Sequence, residues 1–113
     1  MNTGAQACQL RLRLQAQMAL LGWVHPLVRA VGVALDESLH RLHWHAVLDA
    51  GEAEAHAQAL DALSCAATEL ISHYGSPWEI EEHYTVSPQP AALPALPLPL
   101  VFRRWEPDER PAR

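Results

Sequence analysis

The stretch "HRLHWHAVLD", residues 40–49, decides the fold because its side chains alternate in polarity. One parity is apolar and consists of Leu42, Trp44, Ala46 and Leu48. The other parity is mostly polar and consists of Arg41, His43, His45 and Val47. A period of two is typical of a β-strand with one buried face. We therefore expect a strand whose apolar side faces the core and whose histidine pair points outward.

A second strand precedes it, because "LVRAVGVAL" at 27–35 is short and rich in valine. Its larger side chains share one face and are Val31, Val33 and Leu35. Its smaller residues share the other face and are Ala30, Gly32 and Ala34. The polar turn "DES" at 36–38 joins the two strands closely, which predicts an antiparallel hairpin.

An N-terminal helix is predicted within residues 5–24, which are rich in good helix formers. Its apolar residues recur at helical spacing and are Ala7, Leu10, Leu14, Met18 and Leu21. We expect this row to be buried and Leu12, which points away from it, to be exposed. Asn2 or Thr3 is a suitable N-cap, and Gly22 marks the end of the helix.

A second helix is predicted after residue 49, because Asp49 and Glu52 have the spacing of a capping box. Its apolar stripe follows a 3.6-residue period and comprises Leu60, Leu63, Ala67, Leu70, Ile71 and Tyr74. Gly75 and Pro77 end it.

A third strand is predicted for "WEIEEHYTV" at 78–86, with Glu79, Glu81 and His83 on its outward face. Glu82 falls on the apolar parity, which indicates either a β-bulge or a strand at the edge of the sheet.

The remaining chain is an extended segment. Residues 87–100 contain five prolines, which exclude a helix and favour a polyproline conformation wrapped over the body. "VFRRW" at 101–105 fits a short edge strand, and residues 106–113 resemble a frayed tail.

The order α-β-β-α-β predicts an α+β fold, a two-layer sandwich with two helices on one face of an antiparallel sheet. We expect three strands in the sheet, or four if residues 101–105 join it. If the third strand pairs beside the first, the strand order is 3-1-2. Residues 1–87 form a single domain, and residues 88–113 form a proline-rich extension on it.

The charge distribution is uneven, because residues 49–85 hold eight acidic residues and no basic one in a chain of net charge −5. Such a field repels nucleic acid and attracts a basic partner, although a solvated acidic helix face has the same composition. Prolines interrupt the longest uncharged stretch, residues 83–102, so we expect no membrane span. The arginines near the N-terminus do not fit a secretory leader, and we expect a cytoplasmic protein.

The histidine pair, His43 and His45, raises the question of a metal site. Side chains at i and i+2 of a strand are about 6.5 Å apart, a usable separation for two metal ligands. In the order 3-1-2, however, Glu81 and His83 lie two strands away. We therefore favour a solvated or partner-facing pair without metal or cofactor, and keep a metal-binding or metal-sensing protein as the alternative.

Catalysis is not predicted. Cys65 lies among alanines in the second helix, where nothing activates a thiol. Glu81 and Glu82 are neighbours on a strand and face opposite ways, and the chain has no glycine-rich phosphate loop. We expect a protein that is not an enzyme.

The outward face of the sheet is the expected binding surface. Ala30, Gly32 and Ala34 form its shallow floor, on which either a partner or the segment 101–105 lies, with Arg103 and Arg104 facing the glutamates. The candidate partner-binding residues are Glu79, Glu81, His83, His43, His45, Arg41 and Asp61.

From Leu20 to Glu106 the chain resembles a group of small bacterial α/β proteins. The resemblance rests on "HPLVRAVGV", a strand that ends in Asp49, "GE" at the start of the helix, "TELISHYGSPWEIEEHYTV", a proline stretch and "VFRRWEP". Some members are immunity proteins of contact-dependent growth inhibition and related polymorphic toxin systems. The resemblance does not identify any binding residue in this chain.

The resemblance implies a protein that binds and neutralises a cognate toxin domain, with a nuclease as the expected class, inside the producing cell. The acidic central region agrees with a basic toxin, held 1:1 and more weakly at high salt. Self-association through the exposed sheet is a further expectation to test.

Overall fold

The computed structural model describes residues 3–107 and confirms the α+β class. Its elements are α1 (Thr3–Leu20), β1 (Val28–Asp36), β2 (Arg41–Leu48), α2 (Ala53–Ile71), β3 (Glu79–Val86) and β4 (Leu100–Arg103). Each lies where the sequence pattern predicts it, including the short strand after the prolines. The suggested cap Asn2 and residues 108–113 of the predicted tail lie outside the described residues.

The sheet is mixed and has the order β3-β2-β1-β4, so the expected antiparallel order 3-1-2 is wrong. β1 pairs antiparallel with both β2 and β4, whereas β3 runs parallel to β2. β4 occupies the other side of β1, so β3 pairs with the free side of β2. The direction of β3 follows from the length of α2. Its 19 residues span about 28 Å and return the chain along the 8 residues of β2, about 26 Å. β3 therefore starts level with β2 and runs in the same direction.

One face of the sheet carries both helices and the core. Trp44 is fully buried there, together with residues of α1, α2, β1 and β2 in a single cluster. The predicted stripe of α2 is largely correct, because Leu63, Ala67 and Leu70 are buried. None of the helices in the described part of the chain is long and apolar enough to cross a membrane.

The buried face of α1 is the opposite of the predicted one. The row that was expected to be buried contains Leu10, Leu14, Met18 and Leu21, which are 53–76% exposed. The buried residues are instead Leu12, Ala16, Ala19 and Leu20. At 100° per residue, Leu12 and Leu14 lie on nearly opposite sides of the helix, so α1 has two apolar faces. The alanines on the buried side allow α1 to lie close to the sheet.

The start of α2 also differs from the prediction. Its N-cap is Glu52, whose side chain makes no capping hydrogen bond, and the expected capping box with Asp49 is wrong. Asp49 instead accepts hydrogen bonds from Arg104 Nη2 at 2.8 Å and from the backbone N–H of Gln89 at 3.0 Å.

The proline-rich segment lies against β1. The Val33 N–H donates to the Pro99 carbonyl at 3.0 Å, and a Cβ on Gly32 would lie 3.2 Å from Leu98 Cβ. Arg29, fully buried, donates to the Ser87 and Ala91 carbonyls at 2.8 and 3.0 Å. These contacts fix the segment to the sheet at both of its ends.

Candidate functional site

The outer face of β2 and β3 brings six of the seven predicted site residues together. We call this surface the polar band; its residues are Arg41, His43, His45, Glu79, Glu81 and His83. The parallel register pairs them directly, as Arg41 with Glu79, His43 with Glu81 and His45 with His83. They are therefore cross-strand neighbours, and the small-residue floor of β1 lies beside them instead of between them.

Glu81 is the electrostatic centre of the polar band. Its Oε2 lies 3.3 Å from His43 Nδ1, and its Oε1 lies 3.7 Å from Arg41 Nη1. The side chains of His43 and Glu81 are 30% and 42% exposed, so both remain accessible from solvent. The Glu81 carboxylate thus contacts both Arg41 and His43 and remains partly exposed to solvent.

His45 is held more firmly than its neighbours. Its Nε2 lies 3.0 Å from Thr85 Oγ1, and its ring centroid lies 6.0 Å from that of His83. Partial burial, and secondly the charge of His83, lower the pKa of His45 below its usual value. His45 is therefore neutral at neutral pH.

The strand order places three potential metal ligands within reach of one another. One ligand atom each from His43, Glu81 and His83 lies within 4.8 Å of the others. Among the described residues this is the one such group of three or more. The sequence predicted only the pair His43 and His45, because β3 was expected two strands away; the observed order instead places Glu81 and His83 near His43.

Asp61, the seventh predicted residue, lies apart from the polar band. It is exposed on α2, and α2 packs on the opposite face of the sheet from the polar band.

The expected pairing of Arg103 and Arg104 with Glu79 and Glu81 is wrong, because β4 and β3 occupy opposite edges of the sheet. Arg104 instead binds Asp49 and Glu106, at 2.8 and 3.0 Å.

Glu82 lies at the edge of the sheet, which confirms one of the two predicted explanations. The register between β2 and β3 is unbroken, and β3 has no partner strand on its other side within residues 3–107. The exposed Glu82 carboxylate accepts a hydrogen bond from the Tyr84 hydroxyl at 2.5 Å. The Glu82 side chain shares the parity of Tyr84 and of its register partner Trp44, so it lies on the opposite face of β3 from the polar band.

Sequence reasoning missed a second exposed surface, the apolar row on α1. We call it the α1 stripe, and its residues are Leu10, Leu14, Met18 and Leu21. Helical spacing revealed the row but not which of the two apolar faces of α1 is buried. The sequence did contain a sign of the correct face, because Leu12, Ala16 and Leu20 form a second apolar row on the opposite side of the helix.

Comparison with known families gives one match of near full length. A family model described as MafI2 immunity protein matches residues 9–106, a range that covers most of α1, all other elements and the whole polar band. Comparison with curated proteins gives no match.

Proposed function

The chain belongs to the MafI2 immunity protein family, and we propose that it neutralises its toxin by binding it on the polar band. An immunity protein acts by binding a cognate toxin protein, so the functional surface is a protein-binding surface. The observation that supports the polar band is its position. It holds six predicted residues on a sheet face on which neither α1 nor α2 packs.

The charge of this surface favours a basic toxin. With neutral histidines the polar band carries two carboxylates and one guanidinium, a net charge of −1. Complementary charge accelerates association and selects against partners of like charge. A nuclease is the toxin class that fits best, because a cleft that binds phosphates also binds carboxylates. One polar band per chain supports a 1:1 complex.

A charge-reversal pair tests this surface against a matched control. Glu79→Lys with Glu81→Lys changes the polar band, whereas Asp61→Lys with Glu69→Lys makes the same net change on the solvent side of α2. We expect the first pair to slow association with the cognate toxin domain by at least tenfold, and the control by less than about twofold. Surface plasmon resonance at low and high salt measures both rates.

Equal slowing by the two pairs would show that only total charge matters, and unchanged rates in both would remove the polar band from the interface. Met18→Gln with Leu14→Gln tests the other exposed surface. Loss of binding in that variant, with normal binding in the band variant, would move the toxin to the α1 stripe.

A further inference from the structure

The parallel pairing of β2 and β3 arranges three potential metal ligands as a triangle. His43 and Glu81 are register partners, and His83 follows two residues after Glu81 on the same face of β3. Two imidazoles and one carboxylate form a ligand set typical of zinc sites that keep one position open. The backbone beneath them is held by a regular ladder, and β2 is paired on both sides.

The distances suit a small tetrahedral ion. With bonds of 2.0–2.1 Å, two ligands at the tetrahedral angle are about 3.3 Å apart. His43 Nδ1 and Glu81 Oε2 already have a separation of 3.3 Å. His83 offers a ligand atom within 4.8 Å of one on each of the other two residues, and its side chain is exposed, which leaves room for it to rotate toward the ion. From this geometry we propose that His43, Glu81 and His83 bind one Zn²⁺ ion per chain.

The neighbouring side chains are compatible with the ion. Arg41 Nη1 lies 3.7 Å from Glu81 Oε1. When a metal ion binds Glu81, Arg41 has a second carboxylate available from Glu79, its partner in the strand register. His45 keeps its contact with Thr85 and is not needed as a ligand. Imidazole ligands favour zinc and other transition metals over magnesium and calcium. The fourth position faces solvent and takes water.

Zinc titration of the full chain, purified without a histidine tag and treated with a chelator, tests the site. We expect saturable binding of one Zn²⁺ per chain by isothermal titration calorimetry, with Glu81→Gln and His83→Gln each weakening it at least tenfold. His73→Gln, an exposed histidine in the loop after α2, is the matched control and should leave the affinity unchanged. Absorption of bound Co²⁺ provides a second readout, which His43→Gln should abolish.

Two results would overturn the site: no saturable binding, or equal weakening by His73→Gln and His83→Gln. Circular dichroism of the metal-free variants separates loss of metal from loss of fold. The site shares three residues with the proposed toxin surface, and bound Zn²⁺ would offset the negative charge there, so toxin binding is measured on the metal-free chain. Normal toxin binding by a chain that takes up no zinc would refute the site alone, whereas zinc uptake without toxin binding would refute the proposed function alone.

Discussion

Arg29 and Glu106 form a two-point ion pair between the middle of the sheet and the segment after β4. Arg29 Nε and Nη2 donate to the two carboxylate oxygens of Glu106, both at 2.7 Å, across 77 residues of chain. The Arg29 side chain is fully buried, and that of Glu106 is 9% exposed. Arg104 also donates to Glu106 and to Asp49. We call these four residues the Arg29 cluster.

Glu106→Gln should lower the free energy of unfolding by about 2–4 kcal/mol, because it leaves a buried guanidinium without its carboxylate. The carbonyls of Ser87 and Ala91 still accept hydrogen bonds from Arg29 and limit the loss. Urea denaturation followed by circular dichroism measures it. Glu37→Gln, at an exposed position in the β1–β2 turn, is the control and should stay within about 0.5 kcal/mol of wild type. A Glu106 variant as stable as that control would contradict the prediction.

Stability should fall in acid because of the same cluster. Hydrogen bonds from Arg104 lower the pKa of Asp49 below its usual 3.8, and those from Arg29 lower the pKa of Glu106 below its usual 4.5. As pH falls below about 4.5, the unfolded chain takes up these protons before the folded chain does, so unfolding becomes favoured. Above that range the contribution is fully present.

Unfolding free energies at several pH values between 7 and 3 measure this dependence. The double variant Asp49→Asn with Glu106→Gln, compared with wild type, should show a shallower decline in acid. Identical declines in both chains would show that other carboxyl groups control acid unfolding.

Gly32→Ala should lower the unfolding free energy by about 1–3 kcal/mol, because its Cβ would crowd atoms that cannot move freely. The nearest atoms are the Leu98 Cβ and the Leu98 and Pro99 carbonyl oxygens, each 3.2 Å away. A Cβ on Gly75 meets nothing within 4 Å, so Gly75→Ala is the matched control. Thermal melts compare the two, and an equal effect would argue against close packing of the proline-rich segment.

Leu12→Ala and Leu14→Ala should differ strongly although the residues are two positions apart. Leu12 is fully buried, and its truncation should cost about 2–5 kcal/mol. Leu14 is 53% exposed, and its truncation should change stability by less than about 0.5 kcal/mol. Chemical denaturation of both variants measures the difference. The reverse ranking would show that the predicted face of α1 is the buried one.

The sequence predicted the elements well because each has a strong local pattern. Alternation around Trp44 and the 3.6-residue stripe through Leu63 and Leu70 identified β2 and α2 correctly. Strand order is not local, since it depends on where α2 returns the chain, and that geometry was misjudged. The inward face of α1 was also misjudged, because both of its sides are apolar.

The sequence did not predict how the residues of the polar band are arranged, and that they bind a partner stays a prediction. Alternation correctly placed His43 and His45 on the outer face, yet nothing local indicates that Glu81 and His83 lie on the adjacent strand. The Arg29 cluster was missed as well. A charged side chain in an otherwise apolar strand was its one visible sign, and Glu106 lies too far along the chain to be paired with it by spacing.

The long separation between Arg29 and Glu106 also orders events during synthesis. At 5–20 residues per second, a ribosome adds Glu106 roughly 4–15 s after Arg29, longer than most small domains need to fold. During that interval the hairpin and α2 are already available, but β1 lacks β4 and its arginine lacks the carboxylate. The pairing of β1 with β4 and the ion pair therefore form late in synthesis, and the four-stranded sheet is complete only after residue 106 has been added.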